Sequence, residues 1–142
     1  MNTIGIIFAM NEELTALKKY FTIDKITKIY DLTFYEVDFI GTRLVLVESG
    51  VGKVNAGRTT QILIDNYKPS AIYNIGVAGG VDKSLKVGDV VISTSLVQHD
   101  FDITAFDHKK GYIPNVGDVI LVDKILVINS IEALNKKSLP YK

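Results

Sequence analysis

The sequence contains no cysteine, which excludes both a disulfide framework and a thiolate zinc site. Its two histidines, His99 and His108, are too few and too isolated to suggest a metal centre. It also lacks a net charge of one sign. Sixteen Lys and Arg balance sixteen Asp and Glu, so no overall field favours nucleic acid or an anionic membrane surface. No apolar run reaches the roughly 18 residues that suggest a membrane span. The first apolar run is broken by Asn11, Glu12 and Glu13 and has no basic segment before it, so it does not read as a signal peptide. A cytoplasmic protein with no nucleic-acid or membrane partner is therefore expected. What is present is 142 residues, 47% of them hydrophobic, enough for one domain with a buried core.

The chain opens with Thr3–Ala9, a nearly continuous apolar run of the kind found in strands buried on both faces. Asn11 is the expected helix N-cap, with Glu12 and Glu13 in the first turn and Leu14, Leu17 and Tyr20 at helical spacing. Ile26–Tyr30 and Leu32–Ile40 read as strands joined near Asp31, and Gly41-Thr42 turns into a third, Arg43–Val47. A helix is expected over Val54–Tyr67, ended by Lys68-Pro69, followed by a buried strand at Ala71–Ile75. Val87–Ser93 and Ser95–His99 are further strand candidates. Ile103–Gly117 reads as a long loop, and Val119–Asn135 as a stretch that ends in helix. This order predicts an α/β fold, with a central mixed β-sheet flanked by helices.

Two glycine turns follow buried strands: Ser49-Gly50-Val51-Gly52-Lys53 and Gly76-Val77-Ala78-Gly79-Gly80. Neither has the spacing of a P-loop or of a dinucleotide-binding turn. Each alone reads equally well as a tight connection. Together they suggest a ligand crevice at the carboxyl ends of the strands, where open α/β sheets bind small molecules. The acidic turn Met10–Glu13 lies at the same edge. The positive end of a helix favours negative charge, so an acid there is suited to act as a general base and would repel a bound phosphate.

The stretches IGIIFAMNEE (residues 4–13), SGVGKVNAG (49–57), NIGVAGG (74–80), LKVGDVVIS (85–93) and HDFDITAFDHKKGYIP (99–114) together resemble the methylthioadenosine/S-adenosylhomocysteine nucleosidases of the purine nucleoside phosphorylase superfamily. The resemblance implies a phosphorylase/hydrolase-like fold and hydrolysis of an N-glycosidic bond to release adenine and a thioribose. It implies no metal and no organic cofactor, a small nucleoside substrate and a homodimer. By motif, Glu13 would hold and activate the attacking water, Ala9 and Met10 would lie against the ribose, and Val51 near the 5′-alkylthio group. Val77, Ala78 and Gly79 would place backbone near purine and ribose. Ile103, Phe106 and Pro114 would reach toward the partner's alkylthio pocket. His99, Asp100 and Asp102 are better read as structural groups than as catalysts.

Val77 stands where family members often carry serine, which would remove one hydroxyl contact. The resemblance further implies that residues 1–142 are one nucleosidase domain truncated at the C-terminus, with about two-fifths of the family fold absent. The absent part includes an aromatic adenine-stacking segment, a Met-Glu pair for the ribose hydroxyls and a Ser-Asp pair that assists adenine departure. An incomplete active site and an uncovered sheet edge are then expected. The rival expectations are a futalosine-type nucleoside hydrolase, a phosphorylase, a nucleotide-phosphate binding module and a non-catalytic remnant. Phosphorylases carry a phosphate-binding arginine after the first strand, where this chain has Met10-Asn11-Glu12-Glu13.

Overall fold

The computed structural model describes residues 2–142. They form two compact units, one ending at Gly79 and the other spanning Gly80–Lys142.

The first unit is a five-stranded sheet with two helices. β1 (Asn2–Phe8) leads to α1 (Asn11–Lys18), followed by β2 (Lys25–Ile29), β3 (Leu32–Phe39), β4 (Thr42–Glu48), α2 (Lys53–Tyr67) and β5 (Ala71–Asn74). The strand order is β2-β3-β4-β1-β5. β1 runs parallel to both β4 and β5, whereas β2, β3 and β4 form an antiparallel meander. The expected mixed sheet is what forms. The register sets Phe8 opposite Glu48 and Ile7 opposite Asn74. The segments that follow β1, β4 and β5 therefore leave the sheet at one edge.

Strand periodicity divides the core in two. Ile7, Val45, Val47 and Phe34 pack with Leu63 and Tyr67 of α2 on one face. Ile6, Phe8, Leu44, Leu46 and Val37 pack with Leu14 of α1 on the other. β1 and β4 are thus apolar on both faces, which is why they read as unbroken hydrophobic runs. Gly5 lets α2 come close: a Cβ there would meet Leu63 Cδ2 at 2.5 Å. β5 is less covered than its apolar sequence suggests. Ala71, Ile72 and Tyr73 are only half-buried, because among the described residues the strand pairs with β1 alone.

Two local expectations need correction. The N-cap of α1 is Met10, not Asn11, because the Glu13 side chain accepts the Met10 N–H as in the return bond of a capping box. Asn11 instead donates through Nδ2 to Glu48 at 3.0 Å. Tyr20 lies beyond the helix end and is exposed.

In the second unit, β6 (Ser95–Leu96) pairs antiparallel with β7 (Ile120–Leu121), and α3 covers Lys124–Lys136. A single 3₁₀ turn, Thr104–Phe106, interrupts the expected loop. The strand expected over Val87–Ser93 is absent. Val90 makes only an isolated bridge to Tyr141. Gly88 has φ +98°, and the Asp89 carboxylate accepts the Lys86 N–H at 2.9 Å, so residues 86–89 form a turn. Beyond it the Val90 carbonyl accepts the Lys142 N–H at 2.9 Å and the Ile92 N–H donates to the Lys142 carbonyl at 3.1 Å, one bridge rather than a strand. The candidate Ser95–His99 shortens to two residues. Among the described residues, no helix is long and apolar enough to cross a membrane, and no cluster of three or more His, Asp or Glu is arranged to hold a metal ion.

Candidate functional site

Glu13 occupies the third position of α1, so its side chain points back over the turn that leaves β1. Its Oε2 accepts the backbone N–H groups of Ala9 at 3.0 Å and Met10 at 3.1 Å. Its Oε1 accepts the N–H of Val77 at 3.0 Å. Capping explains only the Met10 bond. The Val77 bond comes from the segment after β5 and joins the ends of two parallel strands through one carboxylate. Hydrogen bonds to a charged acceptor are roughly twice as strong as neutral ones, so this arrangement restricts the group. A carboxylate offers about four acceptor positions. With two donors on Oε2 and one on Oε1, Oε1 keeps capacity for one more.

The loop after β4 is tied to the same edge. Ser49 is buried; its backbone N–H donates to the Phe8 carbonyl at 2.8 Å, and its hydroxyl lies within reach of the Gly50 carbonyl at 2.8 Å and the Phe8 carbonyl at 3.2 Å. Gly50 and Gly52 adopt φ +81° and +107°, left-handed conformations that glycine accepts without strain. Val51, between them, is 70% exposed, and its carbonyl accepts from Asn55 Nδ2 at 2.8 Å.

The residues expected at a site therefore fall into groups. Ala9, Met10, Glu13 and Val77 meet directly. Val51 lies on the neighbouring loop, and Ala78 and Gly79 continue exposed from Val77. Ile103, Phe106 and Pro114 belong to the second unit. Ile103 is half-buried and precedes the 3₁₀ turn, Phe106 within that turn is exposed, and Pro114 is exposed on the loop beyond. Val77 contacts Glu13 through its backbone N–H, so this bond does not depend on the side chain at the position.

Gly76 is the residue that motif reading passed over. A Cβ on it would meet Glu13 Oε1 at 2.7 Å. The available signal was its place as the first glycine after a strand, facing an acidic turn after the neighbouring strand.

A cleft of about 370 Å³ is lined by Asn11, Tyr35, Glu48, Ser49, Gly50 and Arg58 among others, but not by Glu13. Two pairs in its polar wall are already engaged with each other. Arg58 donates to both Asp31 oxygens, at 3.0 and 2.9 Å, and this contact holds the Asp31 carboxyl below its ordinary range. Asn11 is bound to Glu48. The cleft is better explained as surface relief than as a reaction site.

Residues 3–139 match a family profile described as the phosphorylase superfamily. The 5′-methylthioadenosine/S-adenosylhomocysteine nucleosidase of Marinomonas sp. (strain MWYL1) is 41% identical over 136 residues, covering 96% of this chain and 59% of that protein. The protein of the same name from Bacillus subtilis (strain 168) is 40% identical, covering 94% and 58%. Among solved structures, a Helicobacter pylori MTAN mutant with 5′-methylthioadenosine in the active site superposes with a TM-score of 0.95 at 31% identity, over 100% of this chain and 62% of that one. A futalosine hydrolase mutant of Helicobacter pylori strain 26695 superposes with a TM-score of 0.96, also at 31% identity and with the same coverage. The chain thus spans about three-fifths of the length of the relatives it matches. With a profile match along nearly all of its length and a mixed sheet that superposes on these structures, the chain belongs to the phosphorylase superfamily.

Proposed function

We propose that the protein carrying this chain hydrolyses the N-glycosidic bond of 5′-methylthioadenosine or S-adenosylhomocysteine. The observation that carries this reading is the Glu13 carboxylate, held by amides from the ends of β1 and β5 with Oε1 able to accept one more donor. In the reaction, a water donating to Oε1 attacks the anomeric carbon as the bond to adenine breaks. Its proton passes to Glu13 while the departing base takes up a proton from solvent at a ring nitrogen, so that neutral adenine and a thioribose are released. Positive charge develops on the ribose in the transition state, and a fixed carboxylate nearby stabilises it without reorganising. The names of the Marinomonas and Bacillus relatives support the substrate class.

Within this reading, Ala9 and Met10 lie against the ribose and Val51 against the alkylthio group, while Val77, Ala78 and Gly79 offer backbone to purine and ribose. The two units are parts of one nucleosidase domain that works in the cytoplasm as a homodimer. Ile103, Phe106 and Pro114 approach the partner's alkylthio pocket. The chemistry needs no metal or organic cofactor.

The test is adenine release from methylthioadenosine with and without phosphate. Release independent of phosphate is expected, and Glu13→Gln should lower kcat by about 10²–10⁴-fold, the usual worth of a general base. Strict phosphate dependence, or full activity of Glu13→Gln, would end the reading. The likeness to the futalosine hydrolase structure favours one alternative. A kcat/KM for a futalosine-type nucleoside above that for methylthioadenosine would select it.

A further inference from the structure

We infer that Gly76 is a positioning residue for the Glu13 carboxylate, an inference that rests on the function proposed above. A Cβ built on Gly76 would lie 2.7 Å from Oε1, 3.0 Å from the carboxyl carbon and 3.2 Å from Oε2. The whole carboxylate therefore packs against the bare Cα of this glycine. Gly76 is not among the residues with positive φ, so no left-handed backbone conformation calls for glycine there. Only the nearness of Glu13 demands glycine.

Neither side of the contact can yield easily. Glu13 sits in the first turn of α1 with Oε2 bound to two amides. The backbone before Gly76 is held by the β1–β5 ladder and by the Ile75 N–H donating to the Ile7 carbonyl at 3.1 Å. An added methyl must push the carboxylate from 2.7 Å toward ordinary contact at 3.4 Å or more. The nearest atom is Oε1, which binds Val77 and is the oxygen assigned to water. Gly76→Ala therefore strikes the reacting oxygen first. Misplacement of a reacting group by about 1 Å costs on the order of 10²-fold in rate.

The experiment combines steady-state kinetics with NMR of the Val77 amide in the protein carrying this chain. Gly76→Ala should lower kcat about 100-fold with KM nearly unchanged, and should move the Val77 amide signal in the direction produced by Glu13→Ala. Adding Glu13→Asp to Gly76→Ala shortens the acid by one methylene and relieves the clash, so the double variant should exceed the product of the two single effects. An unmoved Val77 signal with unchanged kcat, or a double variant that equals the simple product, overturns the inference. If Gly76→Ala does not fold, the double variant with Glu13→Asp decides: recovery of folding when the acid is shortened supports the clash, and a double variant that is equally unfolded overturns the inference. Retained activity in Glu13→Gln would instead sink the proposed function, while the Val77 signal would still judge the Gly76 contact.

Discussion

Glu13 Oε1 accepts the backbone N–H of Val77 at 3.0 Å across a separation of 64 residues. One side chain thus serves as helix cap and as clamp between the ends of β1 and β5. Glu13→Ala should cost about 0.5–2 kcal/mol in denaturant unfolding, the range for losing a helix cap. The same change should raise hydrogen exchange at the Val77 amide, which lies on an exposed segment. A Val77 amide that exchanges freely in the unaltered protein would contradict the clamp.

The core on the α2 face should contribute strongly to the stability of the first unit. Phe34 and Leu63 are both fully buried there, whereas Ile64 on the same helix is 41% exposed. Phe34→Ala should cost about 3–5 kcal/mol and Leu63→Ala about 2–5 kcal/mol. Ile64→Ala should cost much less. Equal losses for Leu63→Ala and Ile64→Ala by urea titration would mean that α2 packs through another face.

Glu36 makes stability depend on pH. Burial pushes its carboxyl up, but hydrogen bonds from Arg43 and Thr27 and the charges of Arg43 and Lys25 outweigh burial and leave it below its ordinary value of 4.5. A carboxyl lowered in the folded state stabilises above that ordinary value, and the contribution fades as pH falls through the folded-state value. The unaltered protein should therefore exceed Glu36→Gln in stability near neutral pH, with the difference shrinking below 4.5. Unfolding curves across that range check it, and a difference that grows on acidification would reverse the assignment.

In the second unit, the Asp123 carboxylate accepts the N–H groups of Ile125 at 2.8 Å and Leu126 at 3.1 Å at the start of α3. Asp123→Ala should fray the first turn and cost about 0.5–2 kcal/mol of helix stability. Backbone chemical shifts of Lys124–Leu126 moving toward coil values would report it, and unchanged shifts would show that packing alone holds the helix end.

Local pattern was sufficient for most of the first unit. Unbroken apolar runs marked β1 and β4, alternation marked the meander, and Lys68-Pro69 marked the end of α2, because each signal depends on residues near one another in the chain. The same logic failed at Val87–Ser93. Apolar residues alone do not make a strand when pairing beside them is limited to one bridge, and residues 86–89 close into a turn instead.

For the site, residue types and strand ends were readable, including the acid after β1 and the glycine turns after β4 and β5. Three matters were settled only by the folded chain: that Met10 occupies the N-cap position of α1, that Val77 lends its amide to Glu13, and that Gly76 has no room for a methyl. The last two depend on β1 and β5 lying side by side in one register. A pairing between segments so distant in sequence is set by burial of both sheet faces, and no short stretch of the chain encodes it.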